Sequence, residues 1–297
     1  MKKPLLHLEH PEDMVLTGDL SVIDAIYSKQ AHISQKIDGA PAVVWGIDPN
    51  NGEFFVGTKS VFNKKKIKRC YSVEDILKYY NMETHKILMG VLIACLENLP
   101  RVPGIYQGDF LGFGGNTTFK PNTITYHFGE DIDAAIVVAP HTYYTGNDFP
   151  TMEAHPLTEH LVDPTGGVYF VQPVVDKVSW ESDAPRIKKD NVKFLTDKEA
   201  AQAKVAINAL IRSGQFVTFE DLVSILGDER LANIYAYVEE LKYELMEEMI
   251  VNDAPQAFLG DRKIQGEGFV MTVGDMSFKL VDRNQFSFAN FNNGKFQ

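Results

Sequence analysis

Short segments in which apolar and polar residues alternate dominate the first 175 positions of the chain. A period of two is typical of half-buried β-strands, and Gly, Pro, Asn and Asp residues separate the segments as turns. The pattern predicts strands at 32–39, 41–47, 53–61, 104–113, 123–128, 134–144 and 167–175. Helical spacing of apolar residues predicts helices at 19–30, from Ser72, and at 84–98, the last of them buried.

The pattern changes at Thr196, after which apolar residues recur with a helical period. Helices are predicted at 196–214, 219–227 and 228–250, and the first two end at glycine. None of them can bury its apolar stripe alone, so the three are expected to pack on one another as a helical subdomain. Residues 266–281 (GEGFVMTVGDMSFKLV) then return to a strand–turn–strand pattern.

These elements predict an α+β protein in which a helical block interrupts a β-rich body. The expected division is a first part of the body at 1–195, a helical insert subdomain at 196–252 and closing strands at 253–297. A length of 297 residues allows one large domain or two ordinary ones. No internal repeat and no low-complexity tract disturbs this organisation.

Composition narrows the class of protein. Apolar residues make up 44% of the chain and charged residues 23%, an ordinary globular balance. No stretch approaches the roughly 18 consecutive apolar residues of a membrane span. The two cysteines, Cys70 and Cys95, are too few for a disulfide scaffold or an all-cysteine zinc site. We therefore expect a soluble, cytoplasmic protein with no membrane partner.

The charge distribution bears on possible partners. A formal net charge of −11 disfavours a protein that simply coats nucleic acid, because such binding depends on many Lys and Arg residues. The positive charge is nevertheless uneven. Residues 64–69 (KKKIKR) and 186–193 (RIKKDNVK) are basic, whereas the acidic excess lies largely in the last third of the chain. A solvated loop is the ordinary interpretation of such a basic run.

The strongest chemical signal is the motif Lys36-Ile37-Asp38-Gly39 at the end of the first predicted strand. Strand alternation places Lys36 and Asp38 on one face. A K-x-D-G pattern alone is weak, since it occurs by chance in about one chain of this length in fifteen. Further motifs follow in order at 58–60 (TKS), 108–112 (GDFLG), 267–270 (EGFV) and 277–280 (SFKL). The specificity lies in this ordered set.

The ordered set resembles the motifs of the covalent nucleotidyltransferase superfamily, which includes ATP-dependent DNA ligases, RNA ligases and mRNA-capping guanylyltransferases. KIDG resembles its nucleophile motif, YQGDFLGFGG the RNA-ligase form of its third motif, EGFV its fourth motif and FKL the start of its final lysine motif. The resemblance covers residues 30–170 and 255–290. It implies an ATP-grasp-like domain, closest to RNA ligases, in which two antiparallel sheets flank a nucleotide cleft.

The resemblance implies a reaction in which the Lys36 amine attacks the α-phosphate of ATP and forms a lysyl–AMP phosphoramidate. An ammonium cannot attack, so Lys36 must first lose its proton. Lys279 is the implied phosphate clamp and second catalytic residue. Glu267 and Asp109 are the implied ligands of Mg²⁺ or contacts to the ribose, because this ion prefers hard oxygen ligands.

The same resemblance implies further nucleotide-binding positions. Asp38 and Gly39 belong to the nucleophile motif, in which the glycine lets the backbone approach the triphosphate closely. Lys59 stands where most of the superfamily has an arginine, and is expected to reach the ribose or the incoming phosphate. Four residues compete to stack on the base: Phe128, His141, Tyr143 and Tyr169. The segment APHTYY is favoured, and with it His141.

Two positions depart from the pattern of the superfamily. Asp109 stands where glutamate is usual, which shortens the reach of the carboxylate. Val281 stands where a second lysine is usual, which leaves Lys279 with less help in placing the α-phosphate. Both departures support, as one alternative, a relative that binds nucleotide without turnover.

The closing hairpin presents a geometric difficulty. A two-residue turn at Gly274 and Asp275 would place Glu267 and Lys279 on opposite faces of the sheet. Because the resemblance assigns both side chains to one nucleotide, we predict a three-residue loop or a β-bulge that shifts the register.

The leading hypothesis is an ATP-dependent polynucleotide ligase that joins a 5′-phosphate to a 3′-hydroxyl end. Related ligases and capping enzymes usually carry an OB-fold after the final lysine motif, and too few residues follow Val281 for one. This disfavours the interpretation of the chain as a capping enzyme. The alternatives are a stand-alone nucleotidyltransferase that modifies a nucleic-acid end or a protein, and a non-catalytic nucleotide-binding relative.

The position of the first basic run, just after Lys59, makes it a candidate track for the phosphate backbone of RNA or nicked DNA. Its cations are Lys64, Lys65, Lys66, Lys68 and Arg69. The choice between DNA and RNA, the role of the helical insert and the oligomeric state are left open by the sequence.

Overall fold

The computed structural model of the protein describes residues 7–176 and 184–286. In these ranges the chain forms seven α-helices that are described from end to end, α1–α7: Pro11–Met14, Ser21–Tyr27, Val73–Tyr79, Met82–Asn98, Asp197–Arg212, Phe219–Leu226 and Glu229–Glu247. Residues 283–286 are also helical. It also forms sixteen strands, β1–β16: His32–Gln35, Ala42–Ile47, Phe54–Gly57, Arg69–Cys70, Ile105–Phe113, Thr118–Phe119, Ile124–His127, Ile136–Thr145, Glu153–Pro156, Val168–Phe170, Val174–Asp176, Ile250–Asn252, Gln256–Leu259, Arg262–Ile264, Gly268–Val273 and Met276–Val281. The predicted α+β class is confirmed. Across the described ranges, none of the helices combines the length and the apolar character that crossing a membrane requires.

The chain divides into two compact units, each assembled from separate stretches of sequence. Unit 1 contains Lys36–Pro173 and Asp253–Gly266. Unit 2 contains Leu8–Gln35, Val174–Asn252 and the segment that begins at Glu267. The three helices predicted between 196 and 252 are α5, α6 and α7, and they lie in unit 2.

The described residues form three sheets, of seven, four and five strands, where the resemblance implied two. The additional sheet, in the order β14-β13-β7-β6, lies in unit 1. It forms because β7, within the strand predicted at 123–128, pairs with β13 from the distant segment 256–259.

The seven-stranded sheet forms the centre of unit 1. Its order is β10-β8-β5-β2-β3-β4, with β9 added beside β8. The β8–β10 pair is parallel and the other pairs are antiparallel. Alternation along β2 sends Val43 and Trp45 into the core that α4 covers, and Val44 into a second core on the opposite face. The first turns of α4, up to Ile87, are exposed, so the predicted burial of this helix applies only beyond that residue.

Unit 2 contains a five-stranded sheet in the order β12-β11-β1-β15-β16, which packs on α7. Capping boxes explain where α5 and α6 begin, since the hydroxyls of Thr196 and Thr218 accept backbone N–H groups three residues ahead. Gly227 ends α6 in a left-handed conformation with φ of 69°. These capping signals are local, and for this reason they can be recognised in the sequence.

The closing hairpin is regular, so the predicted three-residue loop or bulge is wrong. β15 and β16 pair residue for residue, and Gly274, with φ of 56°, and Asp275 form a two-residue turn. The irregularity lies instead at the start of β15, where Gly268 has φ of 144° and a Cβ atom would lie 2.1 Å from the carbonyl oxygen of Leu280. Strand alternation therefore cannot be extended from Phe269 back to Glu267.

A buried network of charged side chains ties three segments of unit 2 together. Lys242 on α7 donates to Glu12 at 2.7 Å, and both side chains are 0% exposed. Arg283, which follows β16, pairs with Asp13 and donates to the Tyr235 hydroxyl at 2.9 Å. Because unpaired buried charges are very costly, this network depends on all of its partners.

Candidate active site

Lys36 and Asp38 lie in an irregular segment that follows β1, not on the strand itself. β1 ends at Gln35, so the last four residues of the strand predicted at 32–39 lie outside it. The backbone N–H of Asp38 donates to the Tyr126 hydroxyl at 2.8 Å. The side chains of Lys36 and Asp38 are both half-buried.

Gly39 allows this segment to lie directly against β5. A Cβ atom on Gly39 would be 2.8 Å from the carbonyl oxygen of Phe110 and 3.0 Å from the Cβ of Asp109. The next residue, Ala40, donates its N–H to the same carbonyl at 3.0 Å. Glycine is therefore required at position 39 because the backbone there lies close to β5, whereas the sequence predicted a close approach to the triphosphate.

A β-bulge brings His141 to Asp109. The register between β5 and β8 shifts between Gln107 and Gly108, so that His141 is an extra residue on β8. A Cβ atom on Gly108 would lie 2.6 Å from the carbonyl oxygen of Ala139, which makes glycine necessary there. A bulge re-aims the side chain of the extra residue. The Nε2 atom of His141 consequently lies 3.6 Å from Oδ1 of Asp109.

The polar surroundings of His141 include Gln107, which is not among the residues predicted from the sequence. The buried Tyr144 hydroxyl donates to Oε1 of Gln107 at 2.7 Å. The Nε2 atom of Gln107 lies 3.5 Å from Nε2 of His141, whose Nδ1 is 2.8 Å from Oγ1 of Thr142. The His141 ring is therefore held by contacts at both of its nitrogens.

The charged groups of this site act on the pKa of Asp38. Burial is the largest influence, and it raises the pKa of this carboxyl above its ordinary value. The charge of Lys36 acts to lower the pKa, whereas the charge of Asp109 raises it. The amide of Asn122 donates to the Asp38 carboxylate, and this bond and His141 also lower the pKa. Lys36, Asp38, Asp109 and His141 thus form one electrostatic group, here called the Lys36 group.

Asp38→Asn is expected to leave the protein at least as stable as the wild type at neutral pH. Because the pKa of Asp38 is raised in the folded state, the wild type loses stability as the pH rises from the unfolded-state value of about 3.9 through the raised folded-state value. Below the unfolded-state value the carboxyl is protonated in both states, and the cost disappears. Urea unfolding of both proteins at about pH 3.5 and about pH 7 measures the difference, which should move in favour of the variant at the higher pH.

Asp48→Asn is the matched control, with the opposite expected sign. Burial acts to raise the pKa of Asp48, but hydrogen bonds from Tyr71 and Asn50 and the charge of Arg69 outweigh it and lower the pKa. The ionised form is therefore stabilising, and its contribution is lost only as the pH falls through the lowered pKa. This variant should lose about 1–3 kcal/mol at neutral pH. A similar loss of stability in Asp38→Asn would contradict the conclusion that burial is the largest influence on the pKa of Asp38.

Lys59 lies on a 3₁₀ helix, Lys59–Phe62, and not on the predicted return strand. β3 ends at Gly57, because the Thr58 side chain accepts the N–H of Ser60 and starts a helical turn. The Lys59 side chain is exposed. The predicted contact between Lys59 and a nucleotide would therefore form only when the nucleotide binds.

The cations of the first basic run differ in their surroundings. Arg69 pairs with the buried Asp48 at 2.7 Å, and the Lys68 ammonium lies 4.3 Å from the centre of the Tyr80 ring. These two side chains stabilise the local structure. Three exposed side chains of the run can contact a phosphate backbone: Lys64, Lys65 and Lys66.

The four candidates for base stacking have different neighbours. Phe128 and Tyr169 contact each other edge-to-face, with ring centres 5.8 Å apart. Tyr143 stacks on His155 at 5.0 Å. Of these candidates, His141 is the one that joins the Lys36 group.

Glu267 and Lys279 belong to unit 2, whereas the Lys36 group belongs to unit 1. Lys279 lies on β16 opposite Val270, and its backbone N–H donates to the carbonyl of Glu9 at 2.9 Å. Glu267 immediately precedes β15. Both side chains are half-buried.

The predicted Mg²⁺ can be tested against the donors of unit 1. Across 7–176 and 184–286, no group of three or more His, Cys, Asp and Glu side chains is arranged to hold a metal ion. In nucleotide sites, Mg²⁺ usually takes one or two carboxylates and completes its shell with phosphate oxygens and water. Of the two carboxylates predicted to hold the ion, Asp109 lies in unit 1, and a single protein carboxylate fits that mode of binding.

Comparison with known proteins gives one family match. A model of a family of unknown function (DUF6267) matches residues 6–226 and 227–295, which is nearly the whole chain. No curated protein and no solved structure matches the chain.

Proposed function

The chain belongs to the DUF6267 family of unknown function, and we propose that it is an ATP-dependent polynucleotide ligase that acts through lysyl-AMP on Lys36. The observation that carries this proposal is the Lys36 group, in which Asp38 lies within electrostatic range of the half-buried Lys36, of Asp109 and of His141. The order of the short motifs, from KIDG to FKL, supports the same chemistry.

In the first proposed step, Nζ of Lys36 forms a bond to the α-phosphorus of ATP. The bond from that phosphorus to the oxygen that bridges to the β-phosphate breaks, and pyrophosphate leaves. The amine must give up its proton before it can attack. Asp38 is suited to accept this proton, because its pKa is raised and therefore lies nearer to neutral pH than the pKa of an ordinary aspartate.

In the second step, an oxygen of a polynucleotide 5′-phosphate attacks the phosphorus of lysyl-AMP. The N–P bond breaks as the nitrogen takes up a proton, and the Lys36 amine is restored. A 3′-hydroxyl then attacks the activated 5′-phosphate and releases its proton to solvent, so that a phosphodiester forms and AMP leaves. Bound Mg²⁺ would neutralise phosphate charge during this chemistry.

The remaining residues of unit 1 keep the roles that the resemblance implies. We propose Asp109 as a ligand of the ion or the ribose and Lys59 as a contact to the incoming phosphate. The exposed cations proposed to contact the nucleic-acid backbone are Lys64, Lys65 and Lys66.

The proposal is tested by the intact mass of the full chain after separate exposure to ATP, GTP and NAD with Mg²⁺. We expect ATP to add the mass of one AMP. An unmodified protein in all three incubations, across a range of pH, would contradict the proposal.

Two further assays separate the alternatives. A ligase joins RNA or nicked DNA that carries 5′-phosphate and 3′-hydroxyl ends. A stand-alone nucleotidyltransferase forms the same adduct but leaves the strands unjoined. A non-catalytic relative shows a rise in melting temperature with ATP and no covalent product.

A further inference from the structure

We propose that Asn122 is a positioning residue that fixes the orientation of the Asp38 carboxylate within the Lys36 group. Asn122 lies just before β7, and its side-chain amide nitrogen donates to Oδ2 of Asp38. Both side chains are half-buried. The two residues are 84 positions apart in the sequence, so the contact forms only in the folded chain.

The backbone determines which end of the Asn122 amide faces Asp38. Oδ1 of Asn122 accepts the backbone N–H of Ile124 at 3.2 Å. A backbone N–H can only donate, so the amide oxygen must lie on the side of Ile124 and the amide nitrogen on the side of Asp38. An amide nitrogen donates and does not accept, so the direction of the hydrogen bond to Asp38 is fixed as well.

The strand next to Asn122 holds Asp38 at a second point. Ile124 begins β7 and lies opposite Leu259 of β13, and its side chain is 1% exposed. Two residues further along β7, the hydroxyl of the buried Tyr126 accepts the backbone N–H of Asp38 at 2.8 Å. The backbone of Asp38 is therefore held by Tyr126, and its carboxylate by Asn122.

The catalytic consequence of this arrangement rests on the proposed function, in which Asp38 accepts a proton from Lys36. An N–H bond of the lysine breaks, an O–H bond forms on the carboxyl, and the electron pair that remains on Nζ attacks phosphorus. This transfer requires an accepting oxygen that is held in place. Asn122 donates to Oδ2 and thereby directs Oδ1 to the transfer. Oδ2 can accept from the amide before and after Oδ1 gains the proton, so the carboxyl keeps its orientation throughout.

Single-turnover kinetics of lysyl-AMP formation by the full chain test this role. In Asn122→Ser the hydroxyl can still accept the N–H of Ile124, but the side chain is too short to reach Asp38. We expect the maximal rate to fall about tenfold, because a hydrogen bond to a charged group is lost. The ATP concentration that gives half of the maximal rate should stay the same, since Asn122 acts through Asp38 and not on the nucleotide.

Asn51→Ser is the matched control. Oδ1 of Asn51 also accepts a backbone N–H two residues ahead, and its amide nitrogen also donates to a carboxylate, that of the exposed Glu53. This variant should leave both kinetic values unchanged. An unchanged maximal rate in Asn122→Ser overturns the positioning role. A loss confined to ATP affinity overturns it too, because Asn122 would then contact the nucleotide itself.

The hydrogen bond can be measured without any reaction, on the full chain labelled with ¹⁵N-asparagine. The side-chain amide signal of Asn122 is identified by its proximity to the N–H of Ile124. Asp38→Asn, which replaces the charged acceptor by a neutral one, should shift this signal and leave that of Asn51 in place. An Asn122 signal that does not move in Asp38→Asn overturns the inference.

The two measurements separate this inference from the proposed function. If the Asn122 signal moves but the wild type forms no adduct, the proposed function fails and the contact to Asp38 stands. If the adduct forms and Asn122→Ser keeps the wild-type rate, the positioning role fails alone.

Discussion

Replacement of Lys36 by alanine should abolish the attachment of AMP, with a loss of more than about a thousandfold in the rate. The reason is chemical, since no other group in the proposed first step supplies the lone pair that bonds to phosphorus. Lys36→Arg should fail equally, because a guanidinium stays protonated and cannot attack. Single-turnover incubation with labelled ATP measures the covalent product directly.

The specificity of this loss is checked with an exposed lysine elsewhere in unit 1. Lys86→Ala changes a solvated side chain on α4 and should leave the rate unchanged. Circular dichroism of all variants separates lost chemistry from lost folding. If Lys36→Ala still gained AMP at the wild-type rate, the assignment of the nucleophile would be wrong.

Lys242→Met is expected to destabilise the protein by about 3–5 kcal/mol. It removes the partner of a carboxylate that is 0% exposed, and leaves Glu12 with Arg283 at 3.7 Å as its remaining cation. Urea denaturation should show a lower midpoint with little change in slope.

Lys204→Met is the control that isolates burial. The Lys204–Glu9 pair has almost the same separation, 2.8 Å, but its side chains are 27% and 49% exposed. Its loss should cost no more than about 1 kcal/mol, because solvent already screens such a pair. In the double variant Glu12→Gln with Lys242→Met, part of the stability should return, because the unpaired buried charge is gone. Equal losses for Lys242→Met and Lys204→Met would show that burial does not govern these pairs.

The parts of the fold that sequence could predict are those encoded by neighbouring residues. The helices in unit 2 begin at capping residues such as Thr196 and Thr218 and follow a helical apolar period, and all of this lies within one stretch of chain. The additional sheet of unit 1 could not be predicted, because β7 and β13 are far apart in sequence and pair only in the folded chain.

In the candidate site, too, local motifs could be recognised in the sequence, whereas contacts between distant residues could not. The KIDG motif located Lys36 and Asp38, but strand alternation did not apply there. Contacts from Tyr126 and Asn122, far along the chain, hold Asp38 in an irregular segment. Gln107 carries no motif of its own.

One sequence signal did mark the bulge beside His141. Pro140 within a predicted strand indicates a break in the strand's hydrogen bonding, since proline has no N–H to donate. A bulge at this proline would have suggested that His141 turns to a new face. Gly268 gave no comparable signal, because the Leu280 carbonyl that a Cβ atom there would approach lies on a different strand.

The central claim is a covalent bond between the Lys36 amine and the phosphorus of AMP. The most direct test is tandem mass spectrometry of peptides from the full chain after incubation with ATP and Mg²⁺, under conditions that preserve phosphoramidates. We expect AMP on the peptide that contains KIDG, with the fragment masses assigning it to position 36. AMP on a different lysine, or its absence from every recovered peptide, would contradict covalent catalysis by Lys36.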